Sequence, residues 1–218
     1  VDPSGCFSIS TYTGDGSSSS IGHGLSNQPD IAIFKELGNV KDWMVLSRGA
    51  GANYLQLNDT DVGATGYYSG AGTFASNTTD TLHELYGATE TNRDGGSYVV
   101  YFFANCEGYI KSGSYEGNGN ADGAYVYCGF RPAFVISKAI DVADSWFILD
   151  ETRDPSNEAV KYLQSNSSAA EAEHANIGID ILSNGFKCRR SSNALNGSGN
   201  DYIYLAFAKN PFQYATAR

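Results

Sequence analysis

The stretch "GCFSISTYTGDG" (5–16) returns as "GYIKSGSYEGNG" (108–119), 103 residues later. The likeness continues outward in the same order. "PDIAIFK" (29–35) pairs with "PAFVISK" (132–138), and "DWMVL" (42–46) with "SWFIL" (145–149), both again at an offset of 103. "YLQLN" (54–58) pairs with "YLQSN" (162–166) at 108, and "SYVVYFFA" (97–104) with "DYIYLAFA" (201–208) at 104. Five blocks in one order, with small shifts of offset, read as a tandem duplication with halves 1–107 and 108–218. The period is domain-sized, well above the roughly 20–50 residues of a solenoid repeat.

Each half reads as strands. "FSISTYT", "DIAIFKE", "DWMVLS", "NYLQLN" and "SYVVYFFA" are short, rich in β-branched and aromatic residues, and bounded by Gly, Asn, Asp or Ser. "YVVYFFA" is continuously apolar, as a central strand covered on both faces would be. The expected fold is all-β: two tandem, duplicated antiparallel β-sandwich domains of jelly-roll or lectin-like type. One helix is a candidate, over Asn166 to Gly178, with Ser168 as cap and Glu171 three residues on. The second half also carries an insertion, "DETRDPSNEAVK" (150–161), where the first has only "SRGAGAN". Duplicated folds diverge in loops, and loops carry function. The two tryptophans, Trp43 and Trp146, recur at matched positions in apolar strands and read as core.

Composition agrees: 25 Gly supply turns, and 15 Tyr with 11 Phe favour strands. The net charge is −10, and it divides unevenly. Residues 1–107 hold 4 basic and 12 acidic side chains, net −8, against 10 and 12, net −2, in residues 108–218. An anionic surface repels phosphate backbones and acidic headgroups, so neither nucleic acid nor membrane is an expected partner. No run approaches the roughly 18 apolar residues of a membrane helix. The start, "VDPSGCFSIS", lacks both a Met and a signal-peptide pattern, and reads as a processed product or a segment of something longer.

The four cysteines, Cys6, Cys106, Cys128 and Cys188, are too widely spaced for a zinc ribbon or a redox motif. If oxidised, the expected pairs lie within each half: Cys6 with Cys106, and Cys128 with Cys188. Four free buried thiols are the alternative. None of the three histidines, His23, His83 and His174, stands at metal-ligand spacing, and no G-x-S-x-G elbow is present. The chain is therefore expected to be non-catalytic and to need no cofactor. "NGNADG" (118–123) places Asn118, Asn120 and Asp122 as in the first half of a calcium loop, but the twelfth position is Gly129, so a hairpin or Asx turn is the stronger reading. Recognition residues are sought where the halves differ: Tyr67, Tyr68 and Phe74 in "GYYSGAGTF", and Asp150, Arg153 and Asp154 in the insertion.

The motifs "YTGDG…IGHGL…PDIAIFK", "SYEGNGNADGAYVYCGFRPAFVISK", "LSNGFK", "NGSGNDYIYLAFAKNPF" and the terminal "ATAR" resemble a repeat domain of tailed-phage structural proteins, chiefly tail fibres and other virion appendages. The likeness covers nearly the whole chain, but it rests on turns and core strands and carries over no site residues. It implies a virion or extracellular location, other virion proteins as partners, and a homo-oligomer, trimeric in a fibre. It also implies a surface for host glycans. In such a protein the sequons at Asn58, Asn77, Asn166 and Asn196 are chance products of polar turns. A purely structural self-assembling module and a secreted carbohydrate-active enzyme of lectin-like fold are the alternatives.

Overall fold

The computed structural model describes residues 4–65, 74, 76–86 and 88–211. They form two compact units, Val1–Asn58 with Gly63–Asn105, and Asp59–Val62 with Cys106–Arg218. The chain is all-β and its strands pair antiparallel throughout.

The first unit contains β1 (Phe7–Thr13), β2 (Ser19–Gly22), β3 (Ile31–Glu36), β4 (Met44–Ser47), β5 (Tyr54–Gln56), β6 (Leu82–Leu85) and β7 (Ser97–Phe103). Its main sheet has the order β1-β7-β3-β4-β5, and β2 pairs with β6 in a second sheet. The one described α-helix, α1 (Thr89–Asn92), is a single turn before β7. Strand β7 lies between β1 and β3, as its apolar sequence predicts. Its burial nevertheless alternates: Tyr98, Val100 and Phe102 are fully buried, whereas Val99, Tyr101 and Phe103 are half-buried. One face of this strand is thus only partly covered, which corrects the expectation of two closed faces. The core draws Phe34, Met44, Leu46, Val100 and Phe102 from the main sheet and Leu85 from the small one.

The second unit contains β8 (Ile110–Glu116), β9 (Tyr125–Tyr127), β10 (Pro132–Ala139), β11 (Phe147–Asp150), β12 (Lys161–Gln164), β13 (Ala172–Glu173), β14 (Ile179–Leu182), β15 (Gly185–Cys188) and β16 (Asp201–Ala208). Its main sheet, read from the β8 end, runs β8-β16-β10-β11-β12-β13, and its small sheet is β14-β15-β9. The order of the first five strands is the order found in the first unit. Here β16 is buried along nearly its whole length. Val126, Ile179, Ile181 and Phe186 of the small sheet share one core with Val135, Phe147, Leu149 and Ala206 of the main sheet.

The recurrent Gly-x-Gly has a physical reason in each unit. A Cβ on Gly14 would lie 2.3 Å from the Arg93 carbonyl oxygen, and one on Gly117 would lie 2.3 Å from that of Gly197. Gly16 and Gly119 hold φ of +68° and +66°, the left-handed region that glycine occupies without penalty. The residue between them donates its N–H to a fully buried asparagine in both cases: Asp15 to Asn92 Oδ1 at 3.0 Å, and Asn118 to Asn196 Oδ1 at 3.0 Å. Beside each turn two tyrosines stack, Tyr12 on Tyr98 and Tyr115 on Tyr202, both with ring centroids 5.0 Å apart.

Three sequence expectations are corrected here. The segment from Asn166 to Gly178 is not a helix. Ala172 and Glu173 pair with Tyr162 and Lys161 as an edge strand, so tertiary pairing overrides the local cap signal. Trp146 is buried, but Trp43 is only half-buried, with the Lys35 ammonium 6.0 Å from its ring centroid. Cys6 and Cys106 are disulfide-bonded, as the closing of β1 against β7 favours, whereas Cys128 and Cys188 are free and buried. Strand register is the reason: Cys128 N–H donates to Asn184 O and Cys188 N–H to Ala124 O, so the two thiols sit four residues apart along the ladder. That is about 13 Å, beyond the reach of a disulfide. Among the described residues no helix is long and apolar enough to cross a membrane.

Candidate functional site

The sequence-designated recognition residues mostly hold the protein together. Tyr67 and Tyr68 lie outside the described residues. Phe74 is fully buried and packs on His83, with ring centroids 5.1 Å apart, so it is core and not a surface contact. In the insertion, Asp150 Oδ1 accepts from the N–H groups of Thr152 and Arg153, both at 2.9 Å. Arg153 forms an ion pair with Asp150. Asp154 Oδ2 accepts from Val160 and Lys161 N–H at 2.7 Å each. These three side chains brace their own loop.

The calcium-like loop is likewise closed by protein groups. Asn118 Oδ1 accepts from Asn120 N–H at 2.9 Å, which makes an Asx turn, and from Asn196 Nδ2 at 3.1 Å. Asn196 Nδ2 also donates to Asn120 O at 2.8 Å, and Asp122 pairs with Lys187 and Arg189. Those cations hold the Asp122 carboxyl below its ordinary range, Lys187 first. The loop forms the Asx turn that its sequence favours. Among the described residues no group of three or more His, Cys, Asp or Glu is arranged to hold a metal.

Two of the three histidines, His23 and His83, are fully buried in the first unit. His23 Nδ1 accepts from Leu25 N–H at 3.1 Å and its Nε2 meets Thr79 O at 3.1 Å. The Thr78 hydroxyl donates to Phe74 O at 2.8 Å, so its oxygen accepts from His83 Nδ1 at 2.9 Å. His83 Nε2 is left without a partner among Phe34, Phe74 and Phe102. Desolvation, helped by His23, pushes the His83 pKa down to about 3, so it is a neutral core residue.

A candidate site is an open hollow of about 250 Å³ in the second unit, where β11 and β12 meet the loops before β14 and β16. Its apolar wall is Phe147, Ile177 and Ala194, all buried, with the half-buried Tyr162 ring against Phe147 at 5.4 Å. Its polar wall is Asp144, Gln164, His174, Asn176, Ser192 and Asn193. Backbone bonds and short side-chain contacts fix this wall. His174 Nδ1 accepts from Asn176 N–H at 3.2 Å, Ser192 Oγ donates to Asn176 O at 2.7 Å, and Asn193 Oδ1 accepts from Asn200 Nδ2 at 3.2 Å. The Tyr162 hydroxyl and the side-chain amides of Gln164 and Asn176 make no hydrogen bond to the described protein. An aromatic face beside free amides and a carboxylate suits a small polyhydroxyl ligand. A second cavity of about 310 Å³ adjoins at His174, lined also by Val160, Glu173, Ala175 and Arg190.

Sequence reasoning missed this site because its members are scattered between residues 144 and 194 and match no motif. Tyr162 and Gln164 belong to the "YLQ" strand, which recurs in both halves and so carries no mark of a site in the sequence. No curated protein and no solved structure matches the chain. Residues 1–211 match the family model described as a domain of unknown function, DUF7483, and the chain belongs to that family.

Proposed function

We propose that this chain is a non-catalytic structural module of a virion fibre or appendage, and that its second half presents a glycan-binding cavity. The two halves are read as a tandem duplication of one β-sandwich domain. The shared strand order, the twin Gly-x-Gly turns and the twin tyrosine stacks support that reading. The location is the virion or extracellular space. The partners are a host-surface glycan, other virion proteins and further copies of the chain, as a trimer in a fibre.

The observation that carries the proposal is the divergence between matched positions. By the repeat offsets, Asp144, Tyr162, Gln164 and Ala194 correspond to Lys41, Tyr54, Gln56 and Glu90. In the first half protein groups engage three of these positions, Lys41, Gln56 and Glu90. Lys41 pairs with Glu90 at 3.7 Å, and Gln56 Nε2 donates to Asp42 Oδ2 at 3.0 Å. In the second half the ion pair is replaced by Asp144 and a small Ala194, and Gln164 is free. Loss of intramolecular partners at a half-buried tyrosine is what opening a recognition site requires.

The test is adsorption of the purified chain to host cells and to their isolated polysaccharide, with release of reducing sugar followed in parallel. Saturable adsorption without sugar release is expected, and release at enzymatic rates overturns the non-catalytic reading. A purely structural role is the second reading. It is favoured by β9, an edge strand whose Tyr125 and Tyr127 are 46% and 62% exposed. Ordered self-assembly without any adsorption selects it.

A further inference from the structure

We infer that the two cavities meeting at His174 form one groove for a neutral oligosaccharide of at least two sugar rings, one ring on each side of His174, and that acidic glycans are excluded. This rests on the glycan-binding reading above and specifies its ligand.

Size argues for more than one ring. Cavities of about 250 Å³ and 310 Å³ share the exposed His174 side chain, the first below and the second at the lower end of the roughly 300–1,000 Å³ of a pocket for a drug-sized ligand. A single ring seated on Tyr162 fills the first and leaves the second open. His174 is placed to contact both rings. Its Nδ1 accepts from Asn176 N–H, which leaves Nε2 as the ring's N–H donor.

Charge argues for neutrality. The groove carries two carboxylates, Asp144 and Glu173. Its one guanidinium is already engaged: Arg190 Nη1 donates to Glu158 Oε1 at 2.8 Å, Nη2 pairs with Glu158 Oε2 at 2.5 Å, and Nε donates to Ala175 O at 2.7 Å. Lys161 lies 3.9 Å from Glu173 and lines neither cavity. Lys138, within electrostatic reach of Asp144, is fully buried and donates to Ala139 O at 2.8 Å. A uronate, sialate or phosphate group would therefore face carboxylates with no free cation on the groove wall. Hydroxyl groups, by contrast, find the amides of Gln164 and Asn176, the Tyr162 hydroxyl and the carboxylate of Asp144.

The experiment uses the full chain against an array of neutral and uronate- or sialate-containing glycans, followed by titration calorimetry with the best neutral binder and its monosaccharide. Neutral oligosaccharides are expected to bind, and the disaccharide at least tenfold more tightly than the monosaccharide. Tyr162→Ala and His174→Ala should each weaken it tenfold or more while the circular dichroism stays unchanged, with the urea midpoint also unchanged for the exposed His174 and lowered for Tyr162, which packs on Phe147. Glu173→Lys should gain binding to uronate-containing chains. Equal affinity for one ring and two, preference of the unaltered chain for acidic glycans, or neutral binding that survives both alanine variants each overturn this inference and leave glycan display standing. Absence of binding to every glycan on the array overturns both.

Discussion

At the residue scale, the buried polar side chains set the pH behaviour. His83 has a folded pKa of about 3 against an ordinary 6.5. The unfolded chain takes up a proton below pH 6.5 and the folded chain does not, so stability is full above that pH and falls as pH drops toward 3. At pH 5 the loss from this group is about 2 kcal/mol. Urea unfolding at pH 7 and pH 5 measures it. In His83→Leu the fall between those two pH values should shrink by about that amount, and an unchanged fall would falsify the buried-neutral assignment. A second residue-scale prediction concerns Tyr202, whose hydroxyl donates to Asn193 O at 2.7 Å and accepts from the buried Gly197 N–H at 2.8 Å. Tyr202→Phe keeps the stack on Tyr115 but orphans that N–H, at a cost of about 1–3 kcal/mol. Tyr98→Phe should behave alike, since Tyr98 OH donates to Thr89 O and accepts from Arg93 N–H, both at 2.9 Å.

At the element scale, one side chain ties the β8–β9 turn to the segment before β16. Asn196 Oδ1 accepts from Asn118 and Ala124 N–H, and its Nδ2 reaches Asn118 Oδ1, Asn120 O and Arg190 O. Asn196→Ala removes all of these at a fully buried position, so a loss of about 3 kcal/mol or more is expected. Hydrogen exchange of the Asn118 and Ala124 amides should rise more than that of the β16 ladder; uniform loosening of both would contradict the assignment. The same scale explains which parts of the fold were readable. The core strands β1, β3, β4, β5 and β7 stand close to where "FSISTYT", "DIAIFKE", "DWMVLS", "NYLQLN" and "SYVVYFFA" place them, because period and β-branching are local properties. The edge strand β13 was unreadable. "AE" has no strand propensity and is extended only because Lys161 and Tyr162 offer it a ladder.

At the scale of the whole molecule, the Cys6–Cys106 bond closes a loop of about a hundred residues, worth roughly 4–5 kcal/mol in the chain-entropy model. Thiol titration in denaturant should find two reactive thiols without reductant and four with it. Reductant, or Cys6→Ser, should lower the urea midpoint accordingly. Four thiols in the untreated protein would remove the bridge. Burial pushes the free thiols Cys128 and Cys188 up to about 12, so neither should react with alkylating agents in the folded protein at neutral pH.

The sequence by itself determined the core strands, the Gly-x-Gly turns and the all-β class. Each of these follows from a short-range preference: alternation, β-branching, or a backbone that only glycine tolerates. It also pointed to Cys6 beside Cys106, because first and last strands of a sheet unit are natural neighbours. Only the tertiary structure decided which side chains are left free. Asp150, Arg153 and Asp154 look like a ligand loop in sequence and are engaged within that loop, the two aspartates by its backbone N–H groups and Arg153 by Asp150. Gln164 and Gln56 look identical in sequence, yet one lines an open cavity and the other is bonded to Asp42. Availability for binding is a property of three-dimensional neighbours, and residues as far apart as 144, 162, 176 and 193 become neighbours only once the strands have paired.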